Sequence, residues 1–393
     1  MSHLANVLGN NENTQLPCVT ELIRDLCIMK HVYNIHRFFN NTLDTMALRL
    51  PVIVLCLLVC STCHSQVGAA EETAECVPSL TRSSTAKGPI CRGALIFEDN
   101  FDFMDSSKWT HEITMAGGDS LLKIKPGKTD DWYGVDYVYY GTIDLWSRGC
   151  TVDWNDGCYR VGNDPYILNP VTSARLHTIN TFSFLYGSVE IRAPLWMLPR
   201  DSVYGQWPAS GEIDIMEARG NRDLTTPDGT NMGVDKMEST MHWGPDSGQN
   251  QFMRTHWEQW RNHGDGYNAD FHVYFVEWTP DYIRFTVDNV EIGRVTPTAG
   301  GFYELGQLTG PNIWAGGTKM APFDQEFFLI MNVAVGGSGY FPDGWNNPGG
   351  KPWTNGSPTS FKEFWTARGQ WEPTWVNDGS SELFVDYVRV WAL

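Results

Sequence analysis

The stretch WPASGEIDIMEARG (residues 207–220) holds three acidic side chains, Glu212, Asp214 and Glu217, within six residues. The residues between the acids are apolar, which is typical of a strand rather than of a solvated charge cluster. Residues two apart on a strand share a face, so Glu212 and Asp214 point the same way while strict alternation turns Glu217 to the other side. One extra residue, in a β-bulge at Ile215–Met216, would return Glu217 to the first face. We therefore predict a bulged strand with three carboxylates on one side.

Three carboxylates on one face suit the hydrolysis of a sugar–sugar bond, which needs one ionised and one protonated carboxyl group. Glu212 would be the nucleophile, Glu217 the acid/base, and Asp214 a hydrogen-bonding partner of Glu212. Close carboxylates resist joint ionisation, so the cluster keeps a proton near neutral pH. We expect the retaining geometry, with carboxyl groups about 5–5.5 Å apart. The alternative is a half-buried strand with an acidic outer face, which is costly because no Lys or Arg alternates with the acids.

Short runs rich in Val, Ile, Phe, Tyr and Trp recur between turn residues from Ala94 to Leu393. This pattern predicts an all-β sandwich, in one domain spanning 94–393. Within it, residues 285–295 (FTVDNVEIGRV) predict a hairpin with Asp288 and Asn289 at its tip. Only residues 249–264 (QNQFMRTHWEQWRNHG) suggest a helical turn or two.

The segment from Met46 to Gln66 (MALRLPVIVLCLLVCSTCHSQ) is typical of a secretory signal, with Arg49 before an apolar run and small residues at its end. We predict a signal peptide over 46–65, translation from Met46, and an upstream extension over 1–45 that is not part of the mature protein. Residues 66–93 read as a polar lead-in. The alternative is an uncleaved anchor, although the apolar run is much shorter than the ~20 residues of a membrane-spanning helix.

Cysteine usage and charge agree with a secreted protein. Four cysteines remain after residue 65, and short loops favour the disulfides Cys76–Cys91 and Cys150–Cys158. The net charge of −18 would repel nucleic acid and anionic lipid but not a neutral polymer. We therefore expect no binding to nucleic acid, and none to a membrane once the signal is removed. We also expect a monomer.

Beyond the acidic motif, further stretches between Cys91 and Leu393 resemble glycoside hydrolase family sixteen, in its laminarinase and β-1,3-glucan-binding-protein branch. These stretches are FEDNFD, HEITMAGG, ILNPVTSARLHTINTFSFLYGSVEIRA, FFLIMNVAVGG and FVDYVRVW. The resemblance implies a jelly-roll β-sandwich with a concave cleft for a polysaccharide chain. It also implies the same roles for Glu212, Asp214 and Glu217, in a secreted enzyme that cleaves internal β-1,3-glucosidic bonds of glucans such as laminarin.

The resemblance implies further site residues. Trp207 matches a Trp that stacks on a sugar, Trp196 a second cleft Trp, and His242 a cleft histidine. No cofactor is expected, although members of the family often bind a structural calcium, which would involve Asp386. Asn100 stands where the partner acid is expected. We interpret His256, His263 and His272 as structural.

Two stretches are shorter than the family pattern. In EIRAPLWMLPR (residues 190–200) only Pro194 separates two strand-like segments, where the family has a loop with a further cleft Trp. Antiparallel neighbours need about two loop residues, so we expect these strands not to pair normally. After HEITMAGG a segment rich in Trp and Asn is also missing. Both losses predict an impaired cleft.

Three functions are consistent with these features. The first is a secreted endo-β-1,3-glucanase, digestive or defensive, and the retention of all three acids favours it. The second is a non-catalytic β-1,3-glucan-binding protein of innate immunity. The third is an exported β-sandwich with no role in sugar binding.

Overall fold

A computed structural model describes residues 76–112, 123–153, 155–337, 339–376 and 379–393. The predicted upstream extension (1–45), the predicted signal peptide (46–65) and residues 113–122, which include the first four residues of the shortened stretch after HEITMAGG, lie outside the described residues. The described strands follow the predicted apolar runs closely, because Val, Ile and aromatic side chains pack well on a pleated surface. In chain order they are β1 (Arg82–Ser83), β2 (Leu95–Asp99), β3 (Thr110–His111), β4 (Lys123–Ile124), β5 (Gly127–Lys128), β6 (Thr142–Asp144), β7 (Tyr159–Val161), β8 (Val171–Thr172), β9 (Arg175–His177), β10 (Phe184–Leu185), β11 (Gly187–Ile191), β12 (Leu195–Pro199), β13 (Glu212–Ala218), β14 (Lys236–His242), β15 (His256–Trp260), β16 (Tyr274–Trp278), β17 (Ile283–Val287), β18 (Val290–Val295), β19 (Phe327–Asn332), β20 (Leu383–Phe384) and β21 (Val388–Trp391).

Two antiparallel sheets contain most of these strands, as the sequence predicted. The larger sheet has nine strands in the order β1-β10-β19-β12-β13-β14-β15, with β9 also pairing with β19 and β3 pairing with β9. The smaller sheet has six strands in the order β18-β17-β16-β11-β21-β2. Apolar side chains from both sheets form one core, including the fully buried Val189, Ile191, Met197, Ile213, Met241, Val276, Phe285 and Leu329. The opposite face of the nine-stranded sheet, here called the outer face, is left for polar side chains.

Helices in the described residues are short. The α-helices are α1 (Thr129–Tyr133), α2 (Val135–Tyr140), α3 (Gly301–Leu305), α4 (Ser360–Thr366) and α5 (Arg368–Trp371). None of these helices is long and apolar enough to cross a membrane. The predicted helical stretch 249–264 was partly wrong: it has a 3-10 turn at Phe252–Arg254 and then continues as β15. Pairing with β14 outweighs the local helical preference there.

The hairpin of β17 and β18 is confirmed. Asp288 and Asn289 at its tip have φ angles of 48° and 66°. Two consecutive residues with positive φ match the turn that follows the right-handed twist of the strands, and Asp and Asn tolerate this conformation better than most residues.

The short link between β11 and β12 needs no hairpin, which corrects the expectation drawn from EIRAPLWMLPR. β11 pairs with β16 and β21 in the six-stranded sheet, whereas β12 pairs with β13 and β19 in the nine-stranded sheet. Residues 192–194 therefore cross from one sheet to the other. Packed sheets lie ~10 Å apart, and the four chain steps from Ile191 to Leu195 can reach about 14 Å. Both strands pair normally.

The folded unit extends from Cys76 to Leu393 and so includes part of the stretch expected to be a lead-in. Strand β1 pairs with β10 at the edge of the nine-stranded sheet. A disulfide joins Cys76 to Cys91, and a second joins Cys150 to Cys158. The first disulfide closes residues 76–91 into a loop. This loop contains β1 and is therefore held at the edge of the nine-stranded sheet.

Candidate active site

The predicted bulge is present in β13. Asp214 lies opposite Thr240 on β14, and Glu217 lies opposite Glu238, so three steps on β13 correspond to two on β14. Glu238 and Thr240 are two apart on a regular strand and share a face, and cross-strand partners lie on the same face. Glu217 and Asp214 therefore lie together on the outer face.

The pairing of β13 with β12, its neighbour on the other side, shows the same extra residue. Leu195 of β12 is opposite Met216, and Trp196 is opposite Asp214. Ile215 and Met216 are 1% and 4% exposed, so both bulged residues enter the core. Their burial anchors the bulge, since returning to regular alternation would move an apolar side chain to the outer face.

Gly211 determines where β13 begins. Its φ is +85°, and a Cβ atom there would lie 2.8 Å from the ring of Phe323. Only glycine satisfies both the left-handed backbone and the close approach of the ring. The turn before Glu212 is therefore held by the core beneath it.

Glu212 receives hydrogen bonds on the outer face. The indole Nε1 of Trp207 donates to Glu212 Oε2 at 2.5 Å. Burial raises the pKa of Glu212, while the Trp207 hydrogen bond, the charge of Arg175 and a hydrogen bond from Asp214 act in the opposite direction. These three contacts all favour the ionised form of Glu212.

Asp214 is the most buried of the three acids, with 2% of its surface exposed. Burial, followed by the charges of Glu212 and Glu217, raises its pKa well above the usual value. Its hydrogen bond to Glu212 also raises this pKa, which is the behaviour of a protonated acid that donates to a carboxylate. Burial and the neighbouring charges thus favour the protonated form of Asp214 beside Glu212.

Glu217 has the environment of a general acid. Burial, then the charges of Glu238 and Glu212, raise its pKa to about 7, against a smaller opposing effect of Arg219. Glu238 is itself buried and lies opposite Glu217 on β14. Arg219 Nη1 lies 3.5 Å from Glu238 Oε1, and the hydroxyl of Tyr340 donates to the same oxygen at 3.1 Å. A fourth carboxylate, held in place by these partners, therefore supports protonation of Glu217.

Aromatic and imidazole rings line the same face beside Glu212. Trp207 is 47% exposed, and its ring centroid lies 5.6 Å from that of His242, which faces Glu212 across β13 and β14. Trp196 donates from Nε1 to Asn332 at 2.8 Å, and the guanidinium of Arg175 lies 4.6 Å from its ring. The structure therefore places all three predicted sugar-contacting residues around the acids.

The predicted calcium ligand Asp386 lies elsewhere, just before β21 in the six-stranded sheet. Its carboxylate is paired with Arg192, and Asn100 accepts a hydrogen bond from Arg389 at 3.1 Å. Positive side chains thus already neutralise this region. A calcium ion does not fit these residues, and no role is assigned to one.

A second acidic group on the outer face contains Glu238, His256 and Glu258, whose ligand atoms lie within 4.8 Å of one another. Lys236 Nζ lies 3.1 Å from Glu238 Oε2 and also pairs with Glu258. The ammonium group already balances these carboxylates, so the group is a charge network rather than a metal centre. His263 and His272 pair with Asp235 and Asp288, respectively, as structural histidines do.

Sequence reasoning missed Glu238, Arg175, Asn332 and Asn250. The sequence contains a signal for Glu238, because Glu238, Thr240 and His242 in MESTMHW are spaced two apart and must share a face of a strand. Arg175 comes to Trp196 through the pairing of β9 with β19, and β19 with β12, which is a long-range arrangement that no local pattern records.

Comparison with known proteins agrees with this architecture. The family model "Glycosyl hydrolases family 16" matches residues 148–326. The β-1,3-glucan-binding protein of Penaeus monodon is 46% identical over 342 residues, covering 76% of this chain and 90% of that protein. The β-1,3-glucan-binding protein 1 of Galleria mellonella is 34% identical over 82% of this chain and 69% of that protein.

More distant relatives include proteins named as enzymes. Glucan endo-1,3-β-glucosidase A1 of Niallia circulans is 31% identical over 62% of this chain and 34% of that protein. The solved endo-β-1,3-glucanase of Pyrococcus furiosus has a TM-score of 0.46 at 19% identity, over 76% of this chain and 94% of that chain. On the strength of the family match and the extended identity to the Penaeus and Galleria proteins, the chain belongs to glycosyl hydrolase family 16 and has its jelly-roll β-sandwich fold.

Proposed function

We propose that the protein is a secreted endo-β-1,3-glucanase that hydrolyses laminarin-like glucans with retention of configuration. The observation that carries the proposal is the bulge in β13, which brings Glu212, Asp214 and Glu217 to one face. The buried environment, which raises the pKa of Glu217 to about 7, supports it further. The carboxyl gap of about 5–5.5 Å between Glu212 and Glu217 stays a prediction.

In this mechanism each acid has a separate task. Glu212 attacks the anomeric carbon, and its negative charge is supported by donors from Trp207 and Asp214. Glu217 gives its proton to the leaving oxygen, so that a glucosyl–Glu212 ester and a shortened glucan are formed. Glu217, now ionised, takes a proton from water as that water attacks the ester, which restores both carboxyl groups.

Substrate contact is assigned to the exposed ring of Trp207 and to Trp196. A flat indole suits the apolar face of a pyranose ring. The direct link between β11 and β12 replaces a family loop with a further Trp, so we expect a raised KM for short oligosaccharides rather than loss of the chemical step. The two disulfides and the glucan-binding relatives support an extracellular location.

The second candidate is a β-1,3-glucan-binding protein of innate immunity that does not cleave its ligand. The names of the Penaeus and Galleria proteins favour it. Incubation of the exported chain with laminarin separates the two candidates. New reducing ends, first released as the β anomer in proton NMR, support the hydrolase, whereas binding without any new reducing ends overturns it in favour of the second candidate.

The pH dependence of kcat/KM gives a further prediction. Glu217 must be protonated to act as the acid, and its raised pKa of about 7 keeps it protonated below that pH. We therefore expect kcat/KM to fall about tenfold per pH unit above pH 7. Because the carboxyl groups are coupled, the inflection belongs to the cluster. Laminarin hydrolysis measured from pH 5 to pH 9 tests this, and a profile still flat at pH 9 would contradict it.

A further inference from the structure

His242 lies between the three acids and a residue that no motif marks, Asn250. The amide Nδ2 of Asn250 is 2.8 Å from His242 Nδ1. On the other side, His242 Nε2 is 3.5 Å from Asp214 Oδ2. The ring lies against Trp207 and Phe252, with centroids at 5.6 Å and 5.3 Å, and these contacts oppose a 180° flip that would put ring carbons in the places of its two nitrogens.

The orientation of the Asn250 amide is determined by the backbone. Its Oδ1 accepts from the backbone N–H groups of Trp243 and Phe252, at 3.3 Å and 3.2 Å. A backbone N–H can only donate, so the oxygen must face these two groups and the NH₂ must face His242. Because Nδ2 is a donor, His242 Nδ1 must be the acceptor and cannot carry a proton.

The remaining proton of a neutral His242 therefore lies on Nε2, which faces Asp214. Burial lowers the pKa of His242 to about 4, so the neutral form prevails at pH 7. Asp214 Oδ2 is buried and has no hydrogen-bond partner among the described residues. A separation of 3.5 Å is longer than a strong hydrogen bond, and such contacts often tighten when substrate binds.

These contacts form a continuous series of donors and acceptors with one direction. Asn250 donates to His242, His242 faces Asp214 with Nε2–H, and Asp214 lies beside Glu212 on the same face of β13, where Glu212 accepts from Trp207. Every donor points toward the acids. Hydrogen bonds donated in the opposite direction, from His242 to Asn250, are excluded, because the backbone N–H groups that contact Asn250 can only donate and so fix its oxygen toward them.

We propose that Asn250 is a positioning residue that holds His242 in its Nε2–H tautomer, so that Nε2–H faces Asp214, the neighbour of Glu212 on the outer face. This inference rests on the proposed function for the role of Glu212, but the tautomer itself does not depend on activity. The titratable groups around His242 are Asp214 and Glu212 on β13 and His256 on β15, and none of them contacts Nδ1.

The substitution Asn250→Asp tests the inference with the least change of shape. An aspartate offers an acceptor to His242 Nδ1, so we expect the proton to move to Nδ1 or the ring to become an imidazolium. Nitrogen-15 NMR of the full chain labelled at histidine distinguishes a protonated nitrogen from a bare one. In the wild type we expect His242 to have a bare Nδ1 and a protonated Nε2 at pH 7. We expect Asn250→Asp to reverse the pattern or protonate both nitrogens.

Kinetics provide a second measurement. With laminarin, Asn250→Asp should lower kcat about 10- to 100-fold while KM changes little, since the substitution disturbs a group behind the nucleophile rather than a sugar contact. Asn289→Asp is the matched control, because Asn289 is exposed at the tip of the β17–β18 hairpin. A wild-type His242 protonated on Nδ1, or an unchanged tautomer in Asn250→Asp, would overturn the inference. If laminarin is not cleaved at all, the proposed function fails while the NMR pattern still decides the role of Asn250.

Discussion

Glu212→Gln should abolish laminarin hydrolysis, lowering kcat by a factor on the order of 10⁴ or more, about 5.5 kcal/mol of transition-state stabilisation. A neutral amide cannot form the glucosyl ester. The fold should persist, because Glu212 is partly exposed and lies on the outer face, where Gln has nearly the same shape. The measurement is the release of reducing ends from laminarin, together with the affinity of the variant for the same polymer.

Glu291→Gln is the matched control for this substitution. Glu291 is exposed on β18 and pairs with Arg294 at 2.9 Å, in the six-stranded sheet rather than the sheet that contains β13. Its replacement should leave kcat within about twofold of the wild type, as surface substitutions usually do. Substantial hydrolysis by Glu212→Gln would mean that Glu212 is not the nucleophile.

Glu217→Gln should lower kcat for laminarin about 10³-fold, because the departing sugar oxygen would leave without a proton. The loss should depend on the leaving group. For an aryl β-glucoside of a laminari-oligosaccharide with an acidic phenol, departure needs little protonation, so kcat/KM should fall much less. The Glu212→Gln variant should lose activity toward both substrates to the same extent. An equal loss with both substrates in Glu217→Gln would contradict the acid/base assignment.

The same substitution should change the pH dependence of stability. The pKa of Glu217 is raised in the folded state, so its contribution to stability is fully present below pH 4.5 and is lost as pH rises to about 7. Gln does not titrate. We therefore expect the Tm of Glu217→Gln, relative to the wild type, to increase between pH 4.5 and pH 7, measured by thermal unfolding. The acid cluster thus costs stability at the pH where it would work.

Much of the sandwich could be predicted from local patterns. The alternating strands, the β17–β18 hairpin and the bulge at Ile215–Met216 all follow from spacing and side-chain type, because the side-chain period of a strand is two and an extra residue must be accommodated somewhere. Predictions that depended on which strands are neighbours in a sheet were less accurate. The expectation that the short link keeps β11 and β12 from pairing normally was wrong, because the two strands lie in different sheets and each pairs there with other strands.

The helical prediction for residues 249–264 was partly wrong for a related reason. His256 to Trp260 pair with β14, and this long-range pairing outweighs a weak local preference. The calcium prediction at Asp386 depended on a single acid, and the Arg192 that pairs with it is 194 residues away in the chain. Local sequence gives no sign of such a partner.

By itself the sequence determined that Glu212, Asp214 and Glu217 belong to one bulged strand, since that conclusion needs only the period of a strand and the apolar character of Ile213, Ile215 and Met216. The tertiary structure alone decided what surrounds them. Glu238 beside Glu217, Arg175 beside Trp196 and Asn250 behind His242 come from other parts of the chain. The protonation states of the acids depend on these neighbours and on burial, because pKa values respond to charges and hydrogen bonds within a few ångströms in space, however far apart in sequence the residues lie.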